Sequence, residues 1–300
     1  MKKFFISLML CWAPLLLAAA SQKKVTILYT GDTYGVWGGN IAFPGGLAPR
    51  KKAFEKIRKE NPNLVILDAG NALAPHYYSR MDQGEFSFHA LDELRYDALN
   101  LGSHDFDYGK ERLLALKAGA QSMRLLSSNV YDKASGKPWT EEFLIKEVAG
   151  IKIGILGICD PKAEQEVLFG GLSGLEVLDT EQALTSLIPK IRPQVQVLVL
   201  LANISPQNLK TILEKTEGID IAISRSAGGQ TDYDDRTYPT AYDFHYFMRA
   251  SSSAPAQVRT LLVYAGRFGF EAGRIDVTWD GYQIKQMEPS VVMMPIGAEE

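Results

Sequence analysis

The chain has 300 residues, 46% of them hydrophobic, with 32 Lys and Arg against 35 Asp and Glu. A formal charge of −3, with no basic stripe interleaved with aromatics, excludes the electrostatic signature of a nucleic-acid binder. The length suffices for one large α/β domain with a substantial core.

The first residues, "MKKFFISLMLCWAPLLLAAASQKK", read as a leader. Lys2 and Lys3 form a charged start, an apolar run follows to Leu17, and Ala18 to Ala20 supply a small-residue cleavage site. This predicts a signal peptide over residues 1–20 and a periplasmic or secreted protein. The run is short for a bilayer span, and no later segment reaches the ~18 apolar residues required, so no membrane anchor is expected after cleavage. Cys11 lies inside the run, which argues against a lipid anchor. Residues 21–300 read as a single domain without repeat or linker. They keep one cysteine, Cys159, so no internal disulfide can form.

Apolar β-branched runs then alternate with helical patterns. Residues 25–29 read as a strand, followed by the glycine-rich loop "TGDTYGVWGGNIAFPGG". A helix is predicted over 47–60, stopped by "NPN", then a strand over 64–67 ending in "DAGN". A helix over 86–94, a strand over 98–101, a helix over 110–118 and a strand over 125–127 follow. "EEFLIKEVAGIKIGILGICD" alternates, turns at Ala149–Gly150 and continues as an apolar strand, which predicts a hairpin. A helix over 181–191, a strand over 195–201, a helix over 206–214 and a strand over 219–223 restore the rhythm. The tail reads as successive strands with a turn at Asp280–Gly281. Residues 224–235, "SRSAGGQTDYDD", are the expected mobile loop.

In α/β sheets the ligand crevice lies outside the carboxyl ends of the strands. Here those ends carry "TGDTYG", "DAGN", "GSHDFD", "GICDP", "LANIS" and "ISRSAGG", six loops expected to converge. In the third, His104 stands beside Asp105 and Asp107, and a carboxylate-held histidine is a proton-transfer pair. The alternative is structural: Asp107 caps the next helix and His104 satisfies buried backbone groups. Tyr34, Trp37, Phe43, His76, Tyr77 and Tyr78 fall near the same mouth, either to stack on a planar ligand or to pack locally.

In this order the loops resemble those of the N-terminal catalytic domain of the 5′-nucleotidase/apyrase family, within the calcineurin-like metallophosphoesterases. Family signatures of the form "TNDxHG", "GGLAR", "LDAGD", "GNHEFD", "SANV", "LSHLG", "GGHSH" and "AGxxGxxxGRLDLxxD" are matched here. The chain reads "TGDTYG", "GGLAP", "LDAGN", "GSHDFD", "SSNV", "LANIS", "SRSAG" and "AGRFGFEAGRIDVTWD". The resemblance implies a four-layer α-β-β-α sandwich of two mixed sheets flanked by helices, with a two-metal hydrolytic site at the strand ends. It also implies that the family's C-terminal substrate domain, with its aromatic clamp, is absent from a chain ending at Glu300.

Carried over position by position, the resemblance retains Asp32 as a metal ligand and little else. Tyr34 stands for a histidine, Asn71 for the bridging aspartate, Ser103 for an asparagine, and Asn203, Ser226 and Gly228 for histidines. An amide carbonyl carries no net charge and cannot readily bridge two dications that repel each other. The resemblance further implies that His104 and Asp107 are a catalytic dyad by descent.

The expected function is therefore an exported, catalytically impaired 5′-nucleotidase-like protein that binds an unidentified small molecule or protein partner. No cofactor is expected. The variant reading is a single weakly held Mg²⁺, Ca²⁺ or Mn²⁺ in an oxygen-only pocket of Asp32, Asn71, Ser103 and Asn203. Two alternatives stay open: a phosphoester or nucleotide hydrolase with a single-metal site using Asp32 and His104, and a thiol redox protein acting through Cys159.

Overall fold

The computed structural model describes residues 22–38, 46–226, 244–249 and 258–294. The leader, Phe43, Gly228 and the expected loop from residue 227 onward lie outside the described residues.

The first third runs β1 (Lys23–Thr30), α1 (Leu47–Glu60), β2 (Leu64–Asp68), α2 (Tyr77–Asp82), α3 (Glu85–Glu93), β3 (Ala98–Asn100), α4 (Gly109–Ala118) and β4 (Arg124–Leu126). The middle adds β5 (Val130–Asp132), β6 (Lys137–Pro138), β7 (Phe143–Val148), β8 (Ile151–Cys159) and β9 (Leu175–Val177). Then come α5 (Thr180–Ile191), β10 (Val197–Asn203), α6 (Pro206–Lys215) and β11 (Ile221–Ser224). Strands β12 (Phe244–Arg249), β13 (Val258–Tyr264), β14 (Glu271–Trp279) and β15 (Ile284–Met293) close the chain.

Two six-stranded sheets form, ordered β15-β14-β1-β2-β3-β4 and β12-β13-β11-β10-β8-β7. Both are mixed. The central strands are parallel, while β14 and β15 in one sheet, and β7 and β12 in the other, run antiparallel to their neighbours. A small antiparallel sheet, β6-β5-β9, had no signal in the sequence, because its strands are only two or three residues long.

Successive side chains of a strand point to opposite faces, and here both faces are apolar. On β10, Val197, Val199 and Leu201 enter the layer between the sheets, where they meet Ile27, Val65, Ile155 and Ile275. Leu198 and Leu200 face the other way, onto Leu184, Leu187 and Ile191 of α5 and Leu209 and Leu213 of α6. Leu28, Ile66 and Leu99 likewise back onto Phe54, Phe88, Leu91 and Leu113 from α1, α3 and α4. The result is the four-layer sandwich that the family resemblance implied.

Local chemistry sets the ends of these elements. Asp179 accepts from Gln182 N at 2.9 Å to start α5, and Ser205 with Pro206 at the first helical position starts α6. At the shared carboxyl end, Asn100 Nδ2 donates to Ala69 O at 3.0 Å and Ile158 O at 3.1 Å, tying one sheet to the other. Asn129 does the same for the middle segment, donating to Cys159 O and accepting from Cys159 N. These two buried amides hold the strand ends in fixed relation.

Candidate functional site

The strand-end loops converge as the sequence implied. Asp32, Tyr34 and Asn71 all hold left-handed φ, at 47°, 54° and 58°. Such backbone is uncommon for residues other than glycine and concentrates at functional sites. All three are buried, as are Ser103, His104, Asn203 and Ser226.

Asp105 organises one half of the site. Its carboxylate accepts four backbone N–H groups: Asn71 at 2.7 Å, Ala72 at 2.8 Å, Leu73 at 2.9 Å and Gly102 at 2.8 Å. Burial pushes its carboxyl up to about 7, against the pull of those donors toward the anion. This one side chain locks the loop after β2 to the loop after β3. Beside it, His104 Nδ1 lies 3.1 Å from Asp107 Oδ2, and Asp107 Oδ1 also accepts from Leu168 N at 2.8 Å. The dyad is therefore assembled. The expected cap is not: Tyr108 precedes α4, with no side-chain cap bond, because the Asp107 carboxylate is turned to His104 and Leu168.

The other half holds the positions that the resemblance sets against metal ligands, and their side chains bond to one another. Asn71 Nδ2 donates to Asp32 Oδ1 at 3.0 Å, while Ser226 N at 2.8 Å and Ser226 Oγ donate to Asp32 Oδ2. Asn71 Oδ1 accepts from His104 N at 3.0 Å, and Ser103 Oγ donates to Glu166 Oε2 at 2.7 Å. Gly102 passes so near that a Cβ there would come within 2.5 Å of both Asn71 Oδ1 and Asn203 Cγ.

A cation is present, and it is covalent. Arg225, directly after β11, places its guanidinium 3.2 Å from Glu166 Oε2, with Asp32 and Tyr34 also in its field. Burial works against its charge, but Asp32 and Glu166 outweigh burial and hold it above the ordinary arginine value. In return, and against its own desolvation, Glu166 is held below the usual carboxylate range by Arg225 and the Ser103 hydroxyl. Burial, followed by the nearby Asp32 charge, raises the Tyr34 phenol well above its ordinary value. Neither Arg225 nor Glu166 was singled out in the sequence. The one available signal was an arginine inside "SRSAG", in the loop where the family carries histidines; Glu166 gave none.

A pair of divalent ions needs anionic and imidazole donors, and no group of three His, Cys, Asp or Glu fit to hold a metal occurs among the described residues. In the expected oxygen-only pocket the side chains bond to one another. Both Asp32 oxygens and the Asn71 oxygen are already engaged, and the Ser103 hydroxyl is directed to Glu166. Of these four side chains, only Asn203 offers a buried acceptor without a partner, and a hard cation takes six or more oxygens.

Other candidates resolve by burial. Cys159 is fully buried, and its thiol is raised by burial first and by Asp160 next, the opposite of the exposed thiolate that redox chemistry needs. Tyr34 packs edge-on against His104 and tilted on Phe268, while Trp37 lies under the Arg50 guanidinium, so both pack locally. Tyr77 is exposed.

With the fold and site in view, the chain is similar to proteins of the 5′-nucleotidase/calcineurin-like phosphoesterase superfamily and shares their fold. No family model matches it. It is similar to the 5′-nucleotidase of Vibrio cholerae, at 33% identity over 144 residues, covering 47% of this chain and 26% of that protein. In structure it is similar to a 5′-nucleotidase precursor from Thermus thermophilus, with a TM-score of 0.74 and 20% identity over 91% of this chain and 55% of that one. It is also similar to the calcineurin-like phosphoesterase YfkN from Bacillus subtilis, with a TM-score of 0.69, 20% identity and 91% of each chain covered. The chain spans between a quarter and a half of the length of the curated 5′-nucleotidases it matches.

Proposed function

We propose that this chain is an exported, catalytically impaired member of the superfamily whose strand-end crevice binds a small molecule or a protein partner rather than hydrolysing a phosphoester. One observation carries the reading: Asp32 is saturated by Asn71 and Ser226, and the Arg225 guanidinium supplies the positive charge beside it. A carboxylate so engaged must break two or three hydrogen bonds before it can ligate a metal. Export is supported by the leader-like residues 1–20, and no helix among the described residues is long and apolar enough to cross a membrane.

The second reading, a hydrolase with a single-metal site, is favoured by the assembled His104–Asp107 pair. Purified protein assayed with p-nitrophenyl phosphate and nucleotides across Mg²⁺, Mn²⁺, Ca²⁺ and Zn²⁺ separates the two. The expected result is no turnover above background and no stoichiometric metal by elemental analysis. Turnover that disappears in His104→Ala establishes the hydrolase instead.

A further inference from the structure

A cleft of about 520 Å³ opens beside Asp107, lined by Arg80, Gln83, Asp107, Tyr108, Glu111 and Phe169, among others. Phe169 is the odd residue. It is 76% exposed, yet it sits at φ 54°, backbone that L side chains avoid. Glycine or asparagine would make the same turn without strain and without showing a phenyl ring to water. Its ring lies nearly parallel to that of Tyr108, 19° between planes and 6.4 Å between centroids.

The loop that carries Phe169 is anchored. Leu168 N donates to Asp107 Oδ1, and Gly171 packs so tightly that a Cβ there would fall 1.7 Å from Phe106 O. The phenyl is therefore presented at a set place beside the dyad. Polar groups complete the wall. Arg80 is oriented through Nε donating to Pro75 O at 3.1 Å, and Glu111 stands in the first turn of α4. No ion pair joins Arg80 to Glu111, so a donor and an acceptor of opposite charge face one cleft.

We propose that this cleft binds a planar aromatic ligand whose edge carries both a hydrogen-bond acceptor and a donor. The ring stacks on Phe169 beside Tyr108, the acceptor meets Arg80 and the donor meets Glu111. Offset stacking rewards a flat π face, which a saturated ring of similar size lacks. The inference stands apart from the reading of the crevice, because it uses neither the Asp32 cluster nor any hydrolytic step.

Benzamide is a suitable probe, since it joins one aromatic ring to one acceptor and one donor, and cyclohexanecarboxamide is its saturated control. Saturation-transfer NMR and titration of the full chain are expected to show millimolar benzamide binding, an affinity in keeping with so small a ligand. The saturated control should bind about fivefold or more weaker, as should benzamide to Phe169→Ala, while Phe169→Tyr keeps wild-type affinity. Because Phe169 is exposed, the alanine variant should keep its unfolding midpoint, checked in parallel. Equal affinity for the two carboxamides, unchanged binding in a folded Phe169→Ala protein, or no benzamide binding overturns the proposal.

Discussion

The two halves of the strand-end crevice treat their charges in opposite ways. Around Asp105 a carboxylate is spent on backbone, so the segment 102–107 keeps its shape and the His104–Asp107 pair stays in register. Around Asp32 the charge is spent on side chains, Asn71, Ser226 and, through the field, Arg225. Side chains that hold loops together and side chains that neutralise one another are thus separable, even where they are neighbours in one pocket.

That contrast can be tested. Removing the scaffold should cost most: Asp105→Ala leaves four buried N–H groups without an acceptor and should lower stability by about 3–5 kcal/mol in urea unfolding. A loss below about 1 kcal/mol would break the comparison. Next, Arg225→Ala leaves Asp32 and Glu166 without their shared counter-charge, and about 2 kcal/mol should be lost. Adding Glu166→Gln should restore part of it, and a double-mutant cycle that adds up without coupling would show that the pair is idle.

Smaller effects sharpen the picture. Glu166 is held below its unfolded value, so the stability it contributes is complete above that value and is lost as pH falls through its folded one. Below about pH 4.5 wild type should therefore weaken more steeply than Glu166→Gln when unfolding midpoints are followed against pH. Last, the Cys159 thiol should resist a disulfide-exchange reagent in native protein and react once denaturant is added, with fast native labelling reviving the redox reading.

Elements were legible wherever the signal was local. Helix α1 carries the expected bounds, Leu47–Glu60, and the turn at Ala149 and Gly150 joins β7 to β8 with left-handed φ at both. Helix α2 was missed, since its six residues include the exposed Tyr77 and Met81 and show no apolar period. The site was legible only in part. Asp107 looks like a cap in sequence because its competitor, Leu168 N, lies 61 residues away. Arg225 and Glu166 are 59 residues apart, and they become partners only because β8 and β11 flank β10 in one sheet. Loop order revealed where the crevice is; which side chains neutralise each other inside it is a tertiary fact.

The guanidinium beside Asp32 has one further consequence. A metal ion exchanges with its surroundings, so a protein built around one depends on supply and can be stripped by a chelator. Arg225 is tethered to β11 by its own backbone, so this pocket carries its counter-charge from synthesis onward and keeps it in surroundings poor in free metal.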